Sequence, residues 1–178
     1  MRIVPNKGFT IVELLIVIVV IGIIASIVVV AYNGVATNAK DTRRQNDMEQ
    51  IVRALMAYNV EFGRFPSSNI NTQGEWETSG INPNQFLSAL RTQGIIGGAI
   101  PVDPVNVQTG ALYDGKVYNY YRYPAGSFSC DAARGGFFIL GVRDMESSGN
   151  PHPESPGFAC DTRNWQAEFD WVTGSFEN

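Results

Sequence analysis

The pattern of apolar and polar positions divides the chain into two unequal parts. From Phe9 to Tyr32 nearly every residue is apolar or small, and Glu13 is the only charge. Such a stretch has no polar face, so it predicts a helix in an apolar surrounding on all sides. At ~1.5 Å per residue, about 24 residues rise about 36 Å, enough to cross a bilayer's hydrocarbon core. Beyond Gly34 the period changes. Met48, Ile51, Val52, Leu55, Met56 and Phe62 fall on one helical face, while Arg43, Arg44, Asp47, Glu49, Arg53 and Glu61 occupy the other. No proline interrupts residues 6 to 65, so the pattern predicts one helix from about Phe9 to Phe62, stopped by Gly63 and Pro66. Its second half offers the apolar face on which a head folds, and Arg43 and Arg44 read as solvated or as partners for acidic groups on neighbouring subunits.

The remainder has the punctuation of a globular domain. SSNINTQGEWETSG is a polar loop. Asn82-Pro83 looks like a helix start, with Phe86, Leu87 and Leu90 buried and Gly94 as the stop. PVDPVNVQTG (101–110) reads as turn and loop. Three strands are expected at VYNYYRY (117–123), GFFILGV (136–142) and AEFDWVT (167–173). Strands joined by turn-rich loops suggest a small antiparallel sheet packed on the long helix, an α+β head. The aromatics of YNYYRYP then belong to the sheet's buried face rather than to a binding surface. The long segment RDMESSGNPHPESPGFACDTR is either functional or stapled down.

Charge gives the orientation. Arg2 and Lys7 precede the apolar run, which places the N-terminus on the cytoplasmic side and the head outside. A secretory signal fits poorly, because the run is too long and no small-residue cleavage site ends it. The net charge is −4, and loss of the segment carrying Arg2 and Lys7 would make it −6. No basic face is present, so direct nucleic-acid binding by the monomer is not expected. Cys130 and Cys160 both fall in the exported part, where pairing is the expectation. His152 is the sole histidine and sits in the turn-like NPHPESPG, so no nucleophile–base pair, metal cluster or phosphate loop is apparent. The chain is read as a non-enzyme.

These residues carry a resemblance. KGFTIVEL (7–14) with the following apolar residues, covering residues 7–30, resembles the class III signal of type IV pilins and type II secretion pseudopilins. The resemblance implies a leader at 1–8 removed by a prepilin peptidase between Gly8 and Phe9, and N-methylation of Phe9. It also implies a hydrophobic filament-core helix at 9–33, a pilin head at 34–178, and Glu13 as the filament-assembly residue. The hypothesis it supplies is that Glu13 meets the Phe9 amine of an adjacent subunit, because a carboxylate in hydrocarbon is costly unless paired. The competing account is a carboxylate snorkelling at the membrane edge. Tyr58 with FGRFP (62–66), PVDPVN (101–106), YNYY (118–121) and FFILGVRDMESS (137–148) are similar, more weakly, to the head of the major pseudopilin. Val105 and Val30 depart from that pattern, replacing a tryptophan and a proline found in many relatives.

The family implication is a homo-oligomeric helical filament, with an inner-membrane assembly platform and an ATPase-driven machine as partners. The subunit is expected to be a single-pass membrane protein first and a cell-surface filament afterwards. The disulfide and long loop favour a pilus serving adhesion, twitching or DNA uptake over a secretion pseudopilin. A monomeric membrane-anchored binding protein is a third reading, from a different class. Calcium is the one cofactor the resemblance brings in, with Asp144, Glu146 and Asp161 as candidates. The D-x-[DN]-x-[DN]-G spacing is absent, and a solvated acidic loop is the simpler reading.

Overall fold

The computed structural model describes residues 8–68, 76–110, 114–147 and 151–178. The leader up to Lys7, most of the polar loop after Ser68, and the end of the acidic turn from Ser148 lie outside the described residues. The chain divides into two units, Met1–Ala39 and Lys40–Asn178.

The elements in chain order are α1 (Ile11–Phe62), β1 (Glu77–Thr78), α2 (Ser88–Thr92), β2 (Val107–Gln108), β3 (Gly115–Lys116), β4 (Asn119–Tyr123), β5 (Phe137–Val142), β6 (Ala159–Cys160), β7 (Arg163–Asn164) and β8 (Trp171–Phe176). In the first unit every residue from Ile11 to Val28 is unburied, with a mean hydropathy of 3.2. Helix α1 ends where the sequence ends it: Gly63 takes a φ of +67°, and its N–H donates to Asn59 O at 2.8 Å.

In the second unit a four-stranded antiparallel sheet runs in the order β1-β4-β5-β8. The register pairs Tyr121 with Ile139 and Ile139 with Gly174. Strand β5 is buried along its whole length, because both faces of the sheet are covered, and this is why FFILGV is a continuous apolar run rather than an alternating one. One face packs Tyr118, Tyr120, Phe138, Leu140 and Val142 against Met48, Ile51, Leu55 and Tyr58 of α1, and against Phe86, Leu87 and Leu90. The other face packs Tyr123, Phe137, Ile139 and Val172 against Trp76, Trp165 and Phe169, with Phe128 and Phe158 alongside. Full burial of each large apolar side chain stabilises by about 1.5–3 kcal/mol.

Several expectations are corrected. Met56 and Phe62 are exposed, while Ala54 and Tyr58 are buried instead. The apolar stripe is rotated because the sheet meets α1 along Met48, Ile51, Leu55 and Tyr58. The second helix starts at Ser88, not Asn82. Leu87 adopts a left-handed conformation (φ 47°), which lets both it and Phe86 enter the core, and its N–H donates to Glu77 Oε2 at 3.1 Å. Residues 101–110 contain strand β2, which pairs with β3. The last strand lies later than 167–173, because Trp165–Ala167 forms a 3-10 turn that folds Trp165 under the sheet. The second covering layer, and the β6–β7 hairpin in it, are additions to the one-faced sheet expected.

Candidate functional site: the N-terminal segment and a buried charge cluster

Thr10 and Glu13 form a reciprocal cap at the start of α1. Glu13 N–H donates to Thr10 Oγ1 at 3.2 Å, and Glu13 Oε2 accepts from Thr10 N–H and from the Thr10 hydroxyl, both at 2.8 Å. The sequence T-I-V-E is thus a capping box, satisfying a backbone donor that the helix leaves orphaned. Glu13 therefore has a role within its own chain. Both Thr10 donors reach Oε2, so the bonds to Thr10 leave the Oε1 oxygen unused. Gly8 and Phe9 are exposed and precede the helix, so the Gly8–Phe9 bond lies outside regular structure. Thr10 had no role in the sequence reading, although the S/T-x-x-E signature was there to be found.

In the second unit, Arg44 is buried (1% exposed) rather than solvated. Its Nε and Nη2 donate to Asp103 Oδ2 and Oδ1 at 2.6 and 3.0 Å, a bidentate pair. Nη1 donates to Asp41 Oδ1 at 2.7 Å and Nη2 to Glu146 Oε1 at 3.3 Å. Asp103 Oδ1 accepts from the N–H of Val105 and Asn106. Asp41 accepts from the N–H of Glu146 and Ser147 at 2.8 Å and from the Ser147 hydroxyl at 2.6 Å. Lys116 Nζ closes the group on Glu146 Oε2 at 2.6 Å. Four segments distant in sequence are tied together: α1, the D-P turn, β3 and the acidic turn after β5.

The electrostatics follow. Burial would lower the Arg44 pKa, but Asp103, Asp41 and Glu146 hold it above its usual value. Burial works to raise Asp41, yet the bonds from Ser147, from the Glu146 and Ser147 amides and from Arg44 hold it below the ordinary carboxylate range. Lys116, with Arg44, lowers Glu146 against its partial burial. The Tyr118 hydroxyl donates to Asp47 at 2.8 Å, and burial with that carboxylate pushes its pKa up. Burial raises Asp170. Arg43 lies 3.7 Å from Asp47, so it too has a partner within its own chain.

The calcium candidates do not converge. Glu146 is committed to Arg44 and Lys116. Asp144 lines an open acidic hollow with Asp114, Glu168 and Asp170, which Arg143 enters. Asp161 is exposed in the β6–β7 turn. Among the described residues, no three His, Cys, Asp or Glu side chains come together as a metal-ligand set. Cys130 and Cys160 are joined by a disulfide that anchors the β6–β7 hairpin over the sheet's second face. Glu177, which the sequence reading passed over, is a second tie. Its carboxylate accepts from Arg122, from Phe65 N–H and from Gly136 N–H, and its carbonyl accepts from Asn59.

Comparison with known proteins bears on the first of these sites. The chain is 29% identical over 99 residues to the type II secretion system core protein G of Escherichia coli strain K12. That match covers 56% of this chain and 66% of the relative, just short of two thirds of its length. No solved structure matches the chain. Residues 5–29 match the family model of the prokaryotic N-terminal methylation motif. The N-terminal segment, with its exposed Gly8–Phe9 bond and capped apolar helix, is thus the part of the chain that matches the prokaryotic N-terminal methylation motif, the class III prepilin signal.

Proposed function

We propose that the chain is a structural, non-catalytic subunit of a pilus-like filament, cleaved between Gly8 and Phe9, methylated on Phe9 and polymerised through α1. The observation that carries this is the coincidence of the methylation motif with a helix whose residues Ile11–Val28 are wholly unburied. An apolar surface of that length requires either lipid or other copies of itself. Before assembly the helix holds the subunit in the membrane with the head outside; afterwards the helices of successive subunits pack together. Lipid is as apolar as leucine, so the transfer gains little hydrophobic energy and shape packing with charge pairing must direct it. Cleavage creates an amine on Phe9, and Glu13, one helical turn along, supplies the opposite charge for the Phe9 of a neighbour.

The disulfide-anchored outer layer favours a surface pilus. Similarity to a secretion core protein favours a second reading, a pseudopilin filament. Mass spectrometry of the mature protein tests the shared part, with a terminus at methylated Phe9 expected and an uncut Met1 overturning it. Glu13→Ala is expected to reach the membrane but to be nearly absent from filaments; normal incorporation would refute the pairing. Sheared surface filaments built mainly of this chain support the pilus, and loss of secretion without surface filaments supports the pseudopilin.

A further inference from the structure

Strand β8 is the last in its sheet, and only part of its outer edge is covered. The register settles which groups face outward. Val172 N–H donates to Ser155 Oγ, and Val172 O accepts from Gly157 N–H at 2.9 Å. Asp170 O accepts from His152 N–H at 2.7 Å. Residues 170 and 172 thus turn their main-chain groups away from β5, and by the two-residue alternation of a strand so do Gly174 and Phe176. Glu177 N–H, pointing the other way, donates to Gly136 O. The segment 152–157 covers the first half of this edge. At the second half, no described element bonds the outward groups of Gly174, and Phe176 O receives only a 3.4 Å contact from the Ser175 hydroxyl.

The chemistry beside this open half is specific. The Phe158 ring lies against bare Gly174, so close that a Cβ there would meet it at 2.6 Å. The Arg134 guanidinium stacks on the Phe176 ring, 3.7 Å from its centroid, and makes no ion pair among the described residues. No proline, inward charge or bulge guards the edge, the devices by which exposed strands are usually protected.

We propose that the Gly174–Phe176 edge of β8 binds an extended polypeptide segment bearing a carboxylate, by adding it as a fifth, antiparallel strand. A residue paired with Phe176 places its side chain on the face of the Phe176 ring, beside Arg134. A residue paired with Gly174 lies on the same face, beside the Phe158 ring that occupies the space over the glycine. The added strand therefore reads acidic–any–apolar in its N-to-C direction. Main-chain bonds supply affinity, and Arg134 with Phe158 supplies selectivity.

The test uses ¹⁵N-labelled full-length protein in detergent and the peptide acetyl-Thr-Glu-Thr-Phe-Thr-amide. In the free protein the Gly174 and Phe176 amides should exchange with solvent quickly, while Thr173 and Ser175 are protected. Titration should shift and protect Gly174 and Phe176. N-methylation of the peptide's Glu and Phe nitrogens should abolish binding, whereas N-methylation of the central Thr should spare it. Replacing the peptide's Glu by Gln, or Arg134→Gln in the protein, should weaken binding about two- to fivefold, the range of an exposed ion pair. The Arg134→Gln variant should retain its melting behaviour. Protection of Gly174 and Phe176 in the free protein would overturn the proposal. So would peptide binding that is indifferent to which nitrogens are methylated, or concentration-dependent pairing of β8 with a second copy in place of peptide binding.

Discussion

Arg44→Ala is the substitution that most directly probes how the head is held together. Arg44 and the Asp103 side chain are essentially sealed from solvent (1% and 0% exposed), and Asp41 nearly so at 6%. Removing the guanidinium leaves Asp103 and Asp41 buried without their cation. Breaking a buried pair on one side costs about 3–5 kcal/mol, because the remaining charge stays desolvated. For a chain of this size each kcal/mol shifts the melting temperature by about 2–4 °C, so a fall of roughly 6–20 °C is expected. Asp103→Asn should cost less, since the amide oxygen still accepts from the Val105 and Asn106 amides. Arg44→Ala combined with Asp103→Asn should lose clearly less than the sum of the two single changes, because neither residue then carries an unpaired charge. The assay is thermal and denaturant unfolding of the intact disulfide-bonded protein in detergent, as a double-mutant cycle. An Arg44→Ala loss below about 1 kcal/mol, the size expected of a surface pair, would refute the reasoning, as would strict additivity.

Reduction of Cys130–Cys160, or replacement of both by Ser, should cost about 3–4 kcal/mol from the 30-residue separation in the chain-entropy model, read as a lower unfolding midpoint. The pH dependence has a definite sign. Asp41 and Glu146 have folded pKa values below their unfolded ones, so their stabilisation is present above the unfolded values near ~4 and is lost as pH falls through the folded ones. Asp170 is raised, so its ionised form opposes folding above its folded pKa. Asp170→Asn should therefore be at least as stable at pH 7, with its oxygen still accepting from Met145 N–H; unfolding midpoints across pH check both statements. Gly115→Ala should destabilise by more than about 1 kcal/mol, because φ is +99° there and a Cβ would lie 2.5 Å from Val107 O; an unchanged melting temperature would contradict this.

What the sequence made legible follows from how locally each feature is specified. The extent of α1 could be read because an unbroken apolar run, an amphipathic continuation and Gly63 are all local signals. Strands β4 and β5 were legible through their aromatic and β-branched runs. Arg44 was misplaced because a guanidinium on a helix is by default solvated. Its burial depends on Asp103, 59 positions away, and Glu146, 102 positions away, which no periodicity reveals. A hint existed in Asp41 and Arg44 lying three apart on α1, but their pairing with a D-P turn is a tertiary fact. Glu177 escaped notice for the same reason: near a terminus a carboxylate reads as solvent-facing, whereas here it caps Phe65 and Gly136 and pairs with Arg122. Thr10 differs, since its capping box with Glu13 is a local S/T-x-x-E pattern that the sequence alone carries.

The two charged sites illustrate opposite solutions to one physical problem. A charge removed from water must find compensating charge or hydrogen bonds. Arg44 finds three carboxylates within its own head, and each is also bonded to backbone amides or to Lys116, so the group is closed and specifies one fold. Among the described residues Glu13 finds only neutral donors, the N–H and hydroxyl of Thr10, both directed at one oxygen. A neutral cap fixes the carboxylate's position while leaving its charge uncompensated. A closed cluster has no reason to recruit a partner, whereas an oriented and uncompensated charge in an apolar segment does. Thr10→Val therefore separates orientation from charge. It should leave the cleaved subunit in the membrane, slow its incorporation into filaments less than Glu13→Ala does, and be rescued by Thr10→Ser. If Thr10→Val and Glu13→Ala were equally severe and serine failed to rescue, the cap would be the essential element and the charge incidental.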